Sequence, residues 1–347
     1  MTWKPSSQSL ACEHCGTAEP VERLPGQVLD HAFEEGADLS RGDAPPRPQA
    51  DVRSLECQTC GARVSLLVRA IATRCAFCGS GQVVEEESMQ RAIRPESVLP
   101  LMLSRERVAR AFQKWLRGLW FRPSALKGLK GFDARGIYVP AWVFDAEAFS
   151  QWTAEAGYYY YVTETYTVRM NGRTQTRTRQ VRKTRWEPAA GERRDFFDDL
   201  QVLASKGLNR ELALELGPFP TQALVPYREE YLVGWEAEEY AIGLHTGWKR
   251  GQKRMRERQI ERCSGDVPGD TQRNLQVDTD FAQVRWKHAL LPVWTLSYRF
   301  GGKTYSVLVN GQTGKVAGQA PYSWVKITGL ILILVLVGLG IFYLSQR

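Results

Sequence analysis

Histidine is scarce in this chain. Only His14, His31, His245 and His288 occur among 347 residues, and no two of them form a spaced ligand pair. An H-E-x-x-H zinc hydrolase is thereby excluded, and neither a G-x-S-x-G nucleophile turn nor a dinucleotide-binding glycine fingerprint is present. Gly302-Lys303-Thr304 copies the end of a phosphate-binding loop, but Ser297 stands where the first glycine is required. The segment also reads as a hairpin turn, where a phosphate loop needs a strand followed by a helix. His288, close to Pro292, reads as a packed strand residue and not as a base. No catalytic residue is assigned, and an enzyme is not expected. The first ten residues are polar and lack the apolar core of a signal peptide. Of seven cysteines, six stand in C-x2-C pairs and only Cys263 is alone, which argues against a secreted disulfide framework and for a reducing compartment.

What is present begins with Cys57, Cys60, Cys75 and Cys78. They form C-x2-C, fourteen residues, C-x2-C. Thiolates two residues apart on a tight turn share one metal edge, and two such turns complete a tetrahedral four-sulfur zinc site. Gly61 and Gly79 follow the pairs and supply the positive φ that turns backbone amides toward the sulfurs. Such a closed site holds structure and leaves no position for catalysis. A first pair, Cys12 and Cys15 in CEHCG, has the same form but no second pair before Cys57. It reads as a degenerate knuckle. The alternatives are a mixed-ligand site completed by His14, Asp30 or His31, and a pair of reactive thiols.

Long apolar runs are absent until Ile327–Leu344, eighteen residues without a charge. At 1.5 Å per residue these span about 27 Å, close to a bilayer core. Tyr322, Trp324 and Tyr343 lie at the two boundaries, where amphipathic rings favour the headgroup region. Lys315 and Lys326 on the near side, against Arg347 on the far side, favour a cytoplasmic body. The span reads as a single C-terminal transmembrane tail anchor.

Composition divides the rest. The expected fold class is α+β: a degenerate knuckle over 1–35, a linker over 36–54, a zinc ribbon over 55–82, an α/β body over 95–321 and the anchor over 325–344. Within the body, Tyr138-Val139-Pro140-Ala141-Trp142-Val143-Phe144 recurs as Leu290-Leu291-Pro292-Val293-Trp294-Thr295-Leu296. Each copy is a strand entered through proline and follows a basic helical segment. Ser104 caps the first such helix, with Val108, Phe112, Trp115, Leu116 and Leu119 on its apolar face. The second, 244–262, has few apolar positions. A duplicated helix-plus-antiparallel-sheet unit over about 97–190 and 225–320 accounts for the pattern, with turns at Asn171-Gly172, Gly301-Gly302 and Asn310-Gly311.

Pairing strands about Asn171-Gly172 puts Tyr158 opposite Arg185, Tyr160 opposite Lys183, Glu164 opposite Arg179 and Tyr166 opposite Arg177. The basic set Arg169, Arg173, Arg177, Arg179, Arg182, Lys183 and Arg185 contains no intervening acid. It is either a solvated hairpin or a surface for an anionic partner: lipid headgroups, nucleic acid or an acidic protein. Residues 1–95 carry ten Lys and Arg against thirteen Asp and Glu, a net of −3, which leaves +11 to the remainder of a chain of net +8. The cysteine region is therefore not the basic one, and a nucleic-acid role for it is weakened.

The segments CQTCGARVSLLVRAIATRCAFCGS, WLRGLWFRPSALK, IYVPAWVFDAEAFS, YYYYVTETYTV, FFDDLQVLASKGL, LVPYREEYLVGWEAEEY, LLPVWTLSYRFGGKTYSVLVNGQTGKV and PYSWVKI together resemble a bacterial family of TFIIB-type zinc-ribbon membrane proteins, often labelled primosomal protein N′ or helicase-like. The resemblance runs from about residue 52 to the apolar run. It implies zinc, an α/β body, a membrane attachment and a scaffold or recruitment role beside SPFH-domain and phage-shock-type membrane proteins. The chain departs from the family pattern around Val28 to Glu35, where a second cysteine pair is missing. The helicase label has no support in these residues.

Overall fold

The computed structural model describes residues 1–21, 28–34, 52–67, 75, 77, 80, 82–86, 93–129, 131–170 and 173–345. In chain order, β1 (Thr2–Lys4), β2 (Ser9–Ala11) and β3 (Ala18–Pro20) form a small antiparallel sheet, followed by β4 (His31–Ala32). β5 (Val52–Cys57), β6 (Arg63–Leu67) and β7 (Val83–Glu86) pair antiparallel around β5. Next come β8 (Ser97–Val98), helix α1 (Arg105–Gly118), the long strands β9 (Asp133–Met170) and β10 (Arg173–Leu203), and the short helix α2 (Arg210–Glu215). β11 (Val225–Pro226) and β12 (Glu236–Glu238) precede helix α3 (Leu244–Asp266), β13 (Thr271–Phe300), β14 (Lys303–Asn310), β15 (Val316–Gly318) and helix α4 (Trp324–Ser345). The main sheet runs β11-β8-β13-β9-β12-β6-β5-β7, so β12 joins the cysteine-bearing hairpin to the long strands. This is a mixed α/β chain with antiparallel sheets.

Contacts divide it into two compact units. One comprises Met1–Val143, Gln201–Gly247 and Lys287–Arg347, and the other Phe144–Leu200 and Trp248–Trp286. In the first unit, β9 and β13 are covered on both faces. Ile137, Val139, Ala141 and Val143 pack with Leu291, Val293, Leu212 of α2 and Leu216, which caps that helix. Tyr138, Leu290, Trp294 and Leu296 pack with Val108, Phe112 and Leu116 of α1. Burial on two faces is why the repeated segments read as unbroken apolar runs where a half-wet strand would alternate. On α1 the apolar stripe is buried as its 3.6-residue period requires, while Arg105, Arg107, Arg110, Lys114 and Arg117 are exposed. Ser104 occupies the N-cap position without a side-chain bond to the backbone, so its hydroxyl does not act as the predicted cap.

The repeated segments have matching surroundings. Ser97 and Val98 of β8 pair parallel with Ala289 and Leu290, and Glu236 and Ala237 of β12 pair parallel with Ile137 and Tyr138. Each short strand precedes one basic helix yet pairs with the long strand of the other copy. These two parallel pairs modify the expected all-antiparallel body. The prolines also sit differently from expectation, inside long strands and not at their entrances. Pro140 O accepts from Ala204 N at 2.8 Å and Pro292 O from Gly311 N at 2.9 Å, each just past the end of the returning strand. A residue with no N–H is tolerated where its ladder has ended.

Gly301 and Gly302, at φ 56° and 77°, make the two-residue turn between Phe300 and Lys303. Asn310-Gly311 does not close a two-residue turn. Asn310 Oδ1 accepts from the amides of Gln312 and Thr313, and Asn310 N reaches Lys315 O at 2.9 Å, giving a wider loop. Asn171-Gly172 lies outside the described residues.

In the second unit Trp152, Ala154 and Cys263 form a small core with Ala189, Val267, Leu275 and Val277. Helix α3 buries Gly251, Met255, Gln259 and Cys263, a stripe at spacing four that hydropathy hides because two members are small or polar. Trp248 completes it, with ring contacts to Phe144 at 5.3 Å and Phe281 at 5.8 Å.

His288 is structural. It lies 4.6 Å from the Trp142 ring and 5.6 Å from Tyr240, with Nδ1 3.1 Å from Ile93 O, and burial pushes its pKa down to about 4. In the unfolded chain the ring protonates near pH 6.5. The unfolded state therefore binds the extra proton first as pH falls, and stability drops between about pH 6.5 and 4 by roughly 3 kcal/mol. Urea titrations of His288→Phe across this window are expected to lose that pH dependence; an unchanged slope would show that His288 is not its source.

Candidate metal centre

The β5–β6 turn positions two sulfurs. Cys57 ends β5, Gly61 N bonds back to Cys57 O at 2.8 Å, and Cys57 N to Ala62 O at 2.9 Å. Gly61 has φ 70°, the conformation that only a residue without Cβ adopts freely. Cys75 is held by its own N–H to Ser80 O at 2.7 Å, and Phe77 N points at Cys75 Sγ at 3.4 Å. The Sγ atoms of Cys57, Cys60 and Cys75 lie within 4.8 Å of one another. Cys60 and Cys75 are 3.7 Å apart. Zinc–thiolate bonds of about 2.3 Å at tetrahedral angles put neighbouring sulfurs about 3.8 Å apart, so the donor set fits such an ion. Cys78, the predicted fourth ligand, and Gly79 lie outside the described residues.

The sulfurs are sheltered. Cys57 and Cys75 are buried, with Ala62, Phe77 and Val83 packed around them. Without a cation the Cys60 thiol keeps its proton: the hydrogen bond to Cys75, then burial, pushes it far above its usual range. A metal must therefore displace protons on binding, and acid opposes it.

Sequence reading missed the support beneath this turn. Ala237 and Glu238 of β12 pair with Ser65 and Val64 of β6, and Glu239 N reaches Arg63 O at 2.9 Å. Gly207 lies so close that a Cβ there would come 2.4 Å from Ala62 Cβ and 2.9 Å from the Phe77 ring. No periodicity announces a glycine needed for close approach. Gly207→Val is expected to cost about 1–3 kcal/mol by overpacking and to weaken metal retention. Thermal melts with metal analysis check this; an unchanged melt would mean that the segment yields freely.

The first knuckle repeats the backbone of the second. Gly16 has φ 73°, Gly16 N bonds to Cys12 O at 3.1 Å, and Cys12 N to Thr17 O at 2.9 Å. Among the described residues no third ligand joins Cys12 and Cys15. His31 Nε2 is 2.6 Å from Glu96 and Asp30 is 3.0 Å from Lys287. The Cys15 thiol is held down to about 7 by hydrogen bonding to Thr17, its Oγ1 at 3.2 Å. A carboxylate group that the sequence did not signal, Asp145, Asp198 and Asp199, also comes together within 4.8 Å. There Asp199 N donates to Asp145 Oδ1 at 2.6 Å and Asp199 has φ 52°.

The basic hairpin has the predicted cross-strand neighbours at two positions. Arg179 Nη2 is 3.2 Å from Glu164, and the Arg185 guanidinium lies 5.8 Å from the Tyr158 ring centre. Arg179 also approaches Tyr166, at 5.5 Å, and Arg182 approaches Tyr159, at 4.2 Å. Glu164 accepts a second cation, Lys183, at 3.3 Å, and Arg185 pairs with Glu187 at 3.0 Å. Among the described residues Arg179, Lys183 and Arg185 thus meet carboxylates, and such solvent-exposed pairs add little to stability. Arg169 and Arg177 are exposed, and the side chain of Arg173 lies outside the described residues.

No family model matches the chain, and no solved structure does. It is similar to "Uncharacterized protein YdjG" of Bacillus subtilis strain 168, with 25% identity over 336 residues that cover 94% of this chain and 89% of that protein.

Proposed function

We propose that this protein is a membrane-anchored adaptor whose zinc-stapled ribbon presents a docking surface for protein partners at the cytoplasmic face of a bacterial inner membrane. The observation that carries the reading is the placement of a cluster of three cysteine sulfurs and an apolar helix without a buried residue in one compact unit. Helix α4 has the length and composition to cross a bilayer. The centre would be completed by Cys78, with zinc held by four thiolates and no open position for chemistry. The likeness to zinc-ribbon membrane proteins adds SPFH-domain or phage-shock-type membrane proteins as the partners to test first. Anionic headgroups would suit the exposed cations of the hairpin.

The experiment is crosslinked affinity capture of the full-length protein from detergent-solubilised membranes, run beside Cys60→Ser. Membrane proteins recovered with the intact ribbon and lost with the variant support the adaptor; identical recoveries from both overturn the ribbon's role. The exposed arginines favour one rival, a membrane-tethered nucleic-acid binder. Affinity for nucleic acid that falls steeply with salt, and is lost on neutralising Arg177, Arg179, Arg182 and Lys183, would establish that rival instead.

A further inference from the structure

Helix α1 ends in a loop whose side chains are spent in an unusual way. Trp120 is 75% exposed and Phe121 41%, although rings of this size are normally covered. Their backbone is tied down. Ser323 N donates to Phe121 O at 2.8 Å, and Lys326 Nζ donates to Trp120 O at 3.2 Å and Arg122 O at 2.9 Å. Arg122 donates in turn to Ala320 O, and its guanidinium stacks 3.6 Å from the Tyr322 ring centre. The loop is thus stitched to residues 320–326, the root of the apolar helix, where Tyr322 and Trp324 are themselves 62% and 72% exposed.

The level of this stitching matters. The uncharged run starts at Ile327, one residue beyond Lys326. If 327–344 fills the hydrocarbon, about 27 Å at 1.5 Å per residue, residues 322–326 lie in the headgroup layer. Trp120 and Phe121, bonded to that same stretch of backbone, lie there too. Tryptophan and tyrosine rings are enriched at that depth, and neighbouring cations favour anionic headgroups. Rings, arginine and lysine therefore form one patch continuous with the spanning helix.

We infer that the Leu119–Arg122 loop is a second bilayer contact, with Trp120 and Phe121 seated in the headgroup layer beside the root of helix α4. It rests on the membrane reading of that helix. Its consequence is mechanical: the unit is held on the bilayer at two places in the chain, 119–122 and 322–345, and does not swing on one helix.

Site-specific photocrosslinking separates the two claims. The full-length protein, in nanodiscs of mixed zwitterionic and anionic phospholipid, carries a benzophenone side chain at position 120, at 333 within the helix, or at the exposed Leu214. Phospholipid mass adducts on the peptides bearing 120 and 333, and none at 214, are expected. Adducts at 333 alone overturn the second contact and leave the anchor standing. Lipid adducts at neither 120 nor 333 overturn both readings. Equal adduct yields at 120 and 214 overturn the loop's special placement, and protein adducts in place of lipid at 120 assign the patch to a protein surface. Because Trp120 is largely exposed, the replacement should leave the melting profile unchanged, and that measurement accompanies each variant.

Discussion

Cys57→Ser is expected to lose its metal and, with it, the order of the β5–β7 hairpins. Serine is a poor ligand for zinc, and structural zinc contributes roughly 10–16 kcal/mol to isolated finger peptides at neutral pH. Among the described residues the sulfur cluster packs against buried Ala62 and partly buried Phe77 and Val83, while β12 supports only the β6 side by its pairing. The core around Trp294 draws on other residues, and that around Val139 shares with the sulfur cluster the partly buried Phe77; both should persist. Elemental analysis should find metal in the parent and none in the variant. Hydrogen exchange should speed up across 52–67 and 82–86 and remain slow across 137–143. Stoichiometric zinc retained by Cys57→Ser would remove the four-thiolate centre. Cys263→Ser, in the core of the other unit, should leave metal content unchanged.

A charge in the apolar helix should have an effect of comparable size. Leu334 is exposed near the middle of α4, and arginine at the centre of a spanning helix costs about 2.5–3.5 kcal/mol on insertion scales. That corresponds to roughly a hundredfold shift in partition. Leu334→Arg should therefore move a large share of the protein out of the membrane fraction, and removal of 324–347 should move nearly all of it. Carbonate extraction followed by flotation reads both. A truncated chain that still floats with vesicles would show that α4 is not the principal attachment. In contrast, Gly338→Ala should leave membrane partition unchanged, since a Cβ there meets nothing within 4 Å.

How much was readable beforehand depended on how local each cause is. The C-x2-C turn is closed by bonds among Cys57, Gly61 and Ala62, all within six residues, so spacing alone identified it. Cys12 to Thr17 folds the same way and was equally visible as a knuckle, but whether a turn holds metal depends on sulfurs that must arrive from elsewhere. The amphipathic stripe of α1 was legible because Val108, Phe112 and Leu116 are bulky and apolar. That of α3 was not, because Gly251 and Gln259 carry no hydrophobic signal. Hairpin partners such as Glu164 and Arg179 followed from a turn signal and a two-residue period. The acids at Glu164 and Glu187, outside the counted window, changed the meaning of its charge.

Sequence by itself determined the metal-ligand spacing, the length of the apolar helix and the recurrence of the proline-bearing segments, because each is a property of neighbours along the chain. Tertiary structure decided which short strand pairs with which long one, how Gly207 and β12 brace the cysteine turn, and that Trp120 meets the root of a helix two hundred residues later. Those outcomes depend on contacts between distant segments, whose pairing is set by the packing of the whole unit and leaves no periodic mark in either segment alone.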